Sequence, residues 1–515
     1  VQTEVVIIGG GVTGTALLRD LALRGVDCVL VEMDDINAGA SGRNHGLLHS
    51  GARYVSNDHE AAVECRVEGA ILKRTAAWAV DDTGGYFVAV QGDDDRYIAD
   101  FPSYCQAAGI SVRPVDVAEA RSREPALSEK TLAVYEVPDA SIDPFRLSLE
   151  CVAQARSLGA RVVRHSRVVA LEREGGRVTA VRLKSAANGI ETRIEAAQVV
   201  NAAGAWAREV ALLAGAPIDL LYSKGTLLVT HGRLSRRVIN RLRPPSNADI
   251  LVPGGTVSIL GTTSTRIESL KDIRPTVAEA DAIVDEASRM LPILESVRYV
   301  RAFSGVRPLA GAPAGGDGRT VSRGFVLLDH QNHGLTNFTT ITGGKLSTCR
   351  LMAERTADLV CARLGNSQPC VTATQPIGPT SGICWTEPGL SPRTWMRKHG
   401  AHDPLICECE MVSGSVIDSI YRSLVDVGDR PTLTDIGLRS RLGKGACQGA
   451  FCVVRAVAYL CQHEAFQGRQ GFDELVAFFA ERWKGLSPVL WGEQMPQMEM
   501  MEALHCGLFG EELKP

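Results

Sequence analysis

The hydrophobic pattern at the start of the chain changes period twice within about thirty residues. Val5-Val-Ile-Ile8 is an unbroken apolar run, the pattern of a parallel strand buried on both faces. From Ala16 to Leu23 the apolar positions Leu17, Leu18 and Leu21 recur at helical spacing, and Cys28-Val-Leu-Val31 returns to a strand. The predicted order is a βαβ unit. Further along, Leu227-Leu-Val-Thr230 and Thr256-Val-Ser-Ile-Leu260 read as short strands suited to an antiparallel sheet. The segment from Asp143 to Ala214 alternates helix and strand again. The chain therefore reads as a discontinuous α/β fold. Residues 1–80, 143–215 and 326–366 form a Rossmann-type dinucleotide-binding domain, and 81–142 with 216–325 form an antiparallel-sheet substrate domain. Residues 367–395, rich in Pro, Ser, Thr and Gly, read as a linker, and 396–515 as a small, mostly helical C-terminal domain with its tail.

The turn between the first strand and helix carries the first chemistry. Gly9, Gly11 and Gly14 occupy the glycine positions of G-x-G-x-x-G. The first permits the tight turn, the second lets backbone approach a pyrophosphate, and the third lets helix and strand pack closely. The helix N-terminus offers free N–H groups and a positive dipole end to phosphate. Glu32, closing the second strand, is placed to accept from a ribose 2′-OH. This fingerprint alone does not separate FAD from NAD. Two later segments do: Gln198-Val-Val-Asn-Ala-Ala-Gly204 and Ile341-Thr-Gly-Gly-Lys-Leu-Ser-Thr348. Each brings the chain into a small-residue turn where backbone comes close to something flat. A long flavin dinucleotide needs such returns, so Ala203, Gly204, Gly343, Gly344, Leu346 and Ser347 are expected at FAD.

Composition narrows the setting. A net charge of −4 over 515 residues, with no basic stripe, argues against nucleic acid. No apolar stretch approaches the roughly 20 residues of a membrane helix, and no signal peptide is visible at the N-terminus. Any membrane attachment is expected to come through other proteins. The 14 cysteines, in a chain this long, fit a reducing compartment better than a disulfide framework. Cys28, Cys65, Cys105, Cys151 and Cys361 lie in apolar-periodic stretches and read as inert core. Cys407-Glu-Cys409 and Cys447-Gln-Gly-Ala-Phe-Cys452 are different. The first precedes a helix with Val416, Ile420 and Leu424 at helical spacing, and the second follows a Gly443-Lys-Gly445 turn. Two close cysteine pairs can close a [2Fe-2S] cluster or a tetrahedral zinc site, and the C-x-C spacing suits zinc less well.

Ala40-Ser-Gly-Arg-Asn-His-Gly-Leu-Leu-His-Ser-Gly-Ala-Arg-Tyr54, Ser304-Gly-Val-Arg-Pro-Leu309 and Ile341-Thr-Gly-Gly-Lys345 resemble the signature segments of FAD-dependent glycerol-3-phosphate dehydrogenases. The similarity runs over essentially the whole chain. It is closest to the A subunit of the anaerobic form, which also has a cysteine-bearing C-terminal extension. The resemblance implies an FAD domain of the glutathione reductase/D-amino-acid oxidase kind, with Ser41, Asn44 and Gly46 joining the cofactor contacts. It also implies hydride transfer from C2 of glycerol 3-phosphate to flavin N5, giving dihydroxyacetone phosphate. Arg53, Arg307 and Lys345 sit beside Gly or Pro turns in loops flanking the flavin segments, and their charge suits a phosphate dianion. In the family these positions hold the substrate phosphate and hydroxyls. Tyr54, next to Arg53, reads either as an added hydroxyl donor or as a core tyrosine. A general base working near neutral pH is usually histidine. His49 matches a family histidine, with His45 as second choice. In some relatives a histidine follows the Lys/Arg-Gly-Ser segment, but here Leu227 stands at that place, which favours His49.

The C-terminal cysteines resemble those of the bacterioferritin-associated ferredoxin-like [2Fe-2S] domain, with Cys407, Cys409, Cys447 and Cys452 as ligands. By the same resemblance, the partners are an iron–sulfur subunit that docks at the membrane and feeds the quinone pool, and a second flavoprotein subunit. The protein would then lie on the cytoplasmic face of the inner membrane. The Trp- and Met-rich tail (Trp483, Trp491, Met495, Met498, Met500, Met501) is a candidate partner contact, though such stripes also pack internally. Two other readings remain open at this stage: a flavin dehydrogenase of an amine or 2-hydroxy acid, and a non-catalytic electron-transfer subunit.

Overall fold

The computed structural model describes residues 2–310, 324–378, 395–397, 399–426, 428, 430–492 and 494–508. The opening βαβ unit lies at the centre of an eight-stranded sheet. Strand β1 (Gln2–Ile8) is followed by helix α1 (Val12–Leu23) and strand β2 (Cys28–Val31). Helix α2 (Pro144–Ser157), strands β3 (Arg161–Val163), β4 (Glu191–Asn201) and β5 (Phe338–Gly343), and helix α3 (Cys349–Leu364) complete this layer. β1 pairs in parallel with β2 and β4, β2 with β3, and β4 with β5. Ile8 stands opposite both Val31 and Asn201, and Asn201 opposite Thr340. The carboxyl ends of these strands thus finish together, and ligands of open α/β sheets bind at that edge.

The continuous apolar run of β1 follows from burial on both faces. Val5 and Ile7 pack with Leu17, Leu18 and Leu21 of α1, Val152 of α2 and Met352 of α3. Val6 and Ile8 point the other way, into a cluster with Val29, Val31, Val178 and Val181. Each such side chain contributes about 1.5–3 kcal/mol through burial. The first half of β4 pairs antiparallel with Arg177–Ser185, so one long strand joins the parallel layer to an antiparallel meander.

The second sheet has nine strands, all within residues 85–137 and 220–310. At one end of it the strands Leu220–Thr230 and Tyr299–Ala310 pair antiparallel over their whole length, Tyr299–Ala310 forming the edge. One pair departs from the antiparallel expectation: Val238–Arg241 runs parallel to Gly85–Val90. The two strands come from separate excursions of the chain, so no hairpin forces opposite directions. Cys28, Cys65, Cys105, Cys151 and Cys361 are buried, as expected of core cysteines.

The C-terminal unit is mostly helical, with a two-strand ribbon (Leu405–Cys407, Val412–Ser413) and its own core around Ile417, Ile420, Ile436, Val453 and Leu460. Buried ion pairs tie it to the first sheet: Arg164 binds Asp35 at 2.8 Å and Asp435 at 3.0 Å, and Arg439 also binds Asp35. The first part of the predicted linker is not free-standing. Ile377 is buried and its N–H donates to Thr75 O at 2.7 Å, while Arg19 donates to Gln375 O at 2.8 Å. Residues 379–394 of that linker, 311–323 of the predicted substrate domain and 509–515 of the tail lie outside the described residues. Among the described residues no helix is long and apolar enough to cross a membrane.

Candidate active site

The glycine turn after β1 is built by close approach. Gly9 has φ +117°, and a Cβ there would fall 2.5 Å from the Ala202 carbonyl oxygen. A Cβ at Gly14 would fall 1.9 Å from the Gly9 carbonyl oxygen, so α1 packs against the turn only with glycine. A Cβ at Gly11 would fall 3.0 Å from Ser41 Oγ, and that hydroxyl accepts from Val12 N–H at 2.9 Å at the start of α1. Glu32 braces the turn from below: its carboxylate accepts from Gly10 N–H at 2.6 Å and Asp34 N–H at 2.9 Å.

From this turn a cavity of about 640 Å³ runs along the sheet edge to a basic end. That size suits a small-molecule or cofactor site. Gly9, Gly11, Glu32, Ser41 and Asn44 line one end, Ala203, Gly204, Gly343, Gly344 and Leu346 the wall, and His45, His49, Arg53, Tyr54, Arg307 and Lys345 the other end. Three expected cofactor residues do not line it. Gly14 sits under the turn. Gly46 (φ +69°) packs on the Ile142 carbonyl, and Ser347 is buried beside Cys65 Sγ at 3.4 Å. Asn44 shapes the loop between them, donating to Ser41 O at 2.7 Å and accepting from Gly46 N–H at 2.7 Å.

At the basic end each cation has a separate support. Arg53 rides on a short turn after Gly51 (φ +99°), where a Cβ would fall 2.2 Å from Ala62 O. It donates to Asp249 at 2.9 Å and Ser246 O at 3.1 Å, while its buried Nη1 has no partner among the described residues. Arg307 projects from Tyr299–Ala310 across Gly225, where a Cβ would collide with the guanidinium, and it donates to Thr262 Oγ1 and Thr263 O. The Lys345 ammonium lies 4.9 Å from the centre of the Tyr54 ring. The His49 ring is 5.3 Å from that of Tyr54 and 6.1 Å from that of His45.

Burial first, and then His45, Arg53 and Lys345, hold His49 well below its ordinary value of 6.5. Burial, with Arg307 and Arg53, pulls His45 down to about 3. Both rings are therefore neutral at pH 7. Two acids escaped the sequence reading. Asp249, fully buried, accepts from both Arg53 and Arg243. Asp139, also buried, accepts from Ser50 N–H at 2.7 Å and Asn240 Nδ2 at 3.0 Å, holding the residue after His49. Neither lies in a motif, and no local signal marks them.

The predicted cluster ligands converge in the C-terminal unit. Cys407 contacts Cys409 and Cys452, and Cys447 contacts the same two, so the thiols form a closed ring. Those thiol donors pull Cys407 and Cys447 towards the thiolate, helped by the N–H groups of Glu410 and of Gly449 and Phe451. A Cβ at Gly445 would fall 2.4 Å from Cys409 Cβ, so the loop closes on the ring only with glycine. Among the described residues no group of three or more His, Cys, Asp or Glu is arranged to hold a metal ion.

Residues 4–359 match the family model described as FAD dependent oxidoreductase. Over 99% of its length the chain is 41% identical to the A subunit of anaerobic glycerol-3-phosphate dehydrogenase from Escherichia coli strain K12, covering 97% of that protein. It is 40% identical over its full length to the protein of the same name from Haemophilus influenzae, covering 94% of it. Among solved structures, the glycerol-3-phosphate dehydrogenase of Bacillus halodurans complexed with FAD matches with a TM-score of 0.65 at 21% identity, over 96% of this chain and 97% of that one. Glycine oxidase from Geobacillus kaustophilus matches with a TM-score of 0.58 at 19% identity, over 73% of this chain and 99% of that one. At such identities the structural likeness speaks for the fold alone. The sequence identity carries further: the chain belongs to the FAD-dependent oxidoreductase family, and within it to the A subunits of the anaerobic glycerol-3-phosphate dehydrogenases.

Proposed function

We propose that the chain is the catalytic flavoprotein subunit that oxidises sn-glycerol 3-phosphate to dihydroxyacetone phosphate. The observation that carries this reading is the basic end of the cavity. Arg53, Arg307 and Lys345 meet there beside two neutral histidines, in the same cavity that begins at the glycine turn. FAD fits the other end, where glycine backbone, the Ser41 hydroxyl and the start of α1 face open space, and when bound it supplies the acceptor for the C2 hydride. Arg307 and Lys345 hold the phosphate dianion. Arg53, fixed by Asp249, offers its unpartnered Nη1 to a substrate oxygen. Tyr54 donates its hydroxyl, and His49 accepts the proton of the C2 hydroxyl. In this reading residues 1–80, 143–215 and 326–366 serve the cofactor, and 81–142 with 216–325 serve the substrate.

The base assignment has a pH signature. A histidine held well below 6.5 stays unprotonated, and so competent, as pH falls from about 8 through 6.5. We expect kcat/KM to stay flat over that interval and to fall only in more acid solution. His49→Asn should lower kcat by roughly 10²–10⁴-fold. An acid limb with its midpoint near 6.5, lost in His45→Asn but kept in His49→Asn, would transfer the role to His45.

The C-terminal thiol ring supports a [2Fe-2S] cluster held by Cys407, Cys409, Cys447 and Cys452. Its donor set is all cysteine sulfur, and the backbone N–H groups aimed at Cys407 and Cys447 suit an anionic cluster. Held there, such a cluster would supply a one-electron carrier, so that the pair taken from substrate could leave singly. The protein then works with a second flavoprotein subunit, plus an iron–sulfur anchoring subunit, and its electrons pass to the quinone pool at the cytoplasmic face of the inner membrane. Exposed Met495 and Met500 favour a partner contact for the tail, whereas Trp491 packs against Tyr299 at 5.6 Å. One experiment tests the substrate and cluster assignments. Anaerobic mixing of the isolated chain with glycerol 3-phosphate should bleach the flavin, and an iron–sulfur EPR signal should follow. Bleaching by a 2-hydroxy acid or an amine instead would overturn the substrate. Stoichiometric zinc with no iron signal would overturn the cluster.

A further inference from the structure

A second cavity, of about 940 Å³, opens where the two sheets meet the C-terminal helices. Its wall shares Asp34, Ala38, Arg43, Asn44 and His45 with the first cavity, but it takes in neither the glycine turn nor Arg53, Arg307 and Lys345. Two cations stand in it without a salt-bridge partner among the described residues. Arg301, on the same strand as Arg307, has a buried Nε with no hydrogen-bond partner, and its guanidinium lies 5.7 Å from the Phe303 ring centre. Lys444 donates to Leu438 O at 3.3 Å and lies 3.7 Å from the Phe145 ring centre. Among the described residues neither forms an ion pair.

The acids that act on these two cations, Asp143 and Glu410 on Lys444 and Glu481 on Arg301, make their close ion pairs with other cations. Asp143 and Glu410 are bound by Arg441 at 3.1 and 2.7 Å, and Glu481 by Lys484 at 2.8 Å. Burial pulls Lys444 down to about 7 against the attraction of Asp143 and Glu410, and Arg301 to about 10 against that of Glu481; Arg441 and Arg301 add to the lowering of Lys444. Cations that are desolvated and unpaired are costly unless an anion joins them. Trp78, Phe145 and Phe478 line the same space with aromatic surface.

We propose that this cavity is a second anion site, taking a phosphate ester with an aromatic or apolar body whose dianionic head lies between Arg301 and Lys444. Arg301 and Lys444 lie outside the proposed catalytic cavity, so binding between them does not depend on its substrate. The volume exceeds what a bare phosphate needs, which leaves the rings to receive the body of the ligand.

Titration calorimetry of the full FAD-loaded chain with phenyl phosphate tests it. The titration is made in the Arg307→Ala background, which disables the proposed catalytic phosphate contact. Saturable binding should remain, and Arg301→Gln and Lys444→Gln should each weaken it by at least ~10-fold. Phenol, with the same ring and no charge, should bind at least ~10-fold more weakly than phenyl phosphate. No saturable binding in the Arg307→Ala background, or binding indifferent to both further changes, would overturn the proposal. Should Arg301→Gln lose its FAD, the result with Lys444→Gln alone decides.

Discussion

Arg307→Ala is expected to lower kcat/KM for glycerol 3-phosphate by roughly 10²–10³-fold or more while leaving FAD bound in full. Truncating one partner of a buried, hydrogen-bonded charge pair costs about 2–5 kcal/mol or more, and each 1.4 kcal/mol is tenfold. The guanidinium is an unusually committed group. It emerges from a strand paired along its whole length, lies over a glycine that leaves it room, and is aimed by Thr262 and Thr263. None of those supports belongs to the Gly9–Gly14 turn, so cofactor retention should survive. Steady-state kinetics with a flavin absorbance ratio checks both halves. Near-normal turnover would remove Arg307 from the substrate site, and loss of FAD would make its role structural. Arg307→Lys should recover only part of the loss, because an ammonium cannot reproduce the planar fork.

Asp249→Ala should be the most destabilising single change near the site. The carboxylate is fully buried and accepts from Arg53 at 2.9 Å, from Arg243 at 2.7 Å and from Ser246 N–H at 2.5 Å. Removing it leaves the Arg53 guanidinium without its ion-pair partner, while Arg243 keeps Glu286 at 2.9 Å; breaking such a buried pair costs about 3–5 kcal/mol. The change should also raise KM, since Arg53 loses the group that orients it. Asp249→Asn keeps the shape and some hydrogen bonds, and should cost less stability. Thermal unfolding followed by flavin fluorescence, with KM measured below the transition, reads both effects. A loss under about 1 kcal/mol for Asp249→Ala would show that Arg53 and Arg243 find other partners readily.

The two predictions differ in how far the sequence could have led to them. Arg307 sits in Ser304-Gly-Val-Arg-Pro-Leu309, a segment legible by its resemblance and by its Gly and Pro punctuation. Asp249 sits in a plain stretch between two short strands, and only its contacts give it weight. The same contrast runs through the cysteines. The spacing within each pair was visible in the chain, but the Cys407–Cys452 and Cys409–Cys447 contacts bring together residues about forty apart. Of the expected cofactor residues, Gly14, Gly46 and Ser347 prove to support the cavity rather than line it. Sequence shows which glycines are needed, but not whether the need is for a ligand or for another stretch of backbone.

By itself the sequence determined the βαβ unit, its glycine turn and the FAD-binding fold. These rest on local physics: the period of apolar residues, the steric freedom of glycine, and the exposed N–H groups at the start of a helix. Tertiary structure decided the rest. It set which acid holds Arg53, which face of the Leu220–Thr230 strand receives Arg307, and how far burial lowers the two histidines. It also made the second cavity, whose unpaired cations come from a strand and a loop more than a hundred residues apart. The physical reason is that charge partners and burial depend on strand register and on the docking of whole units. No short-range pattern encodes either.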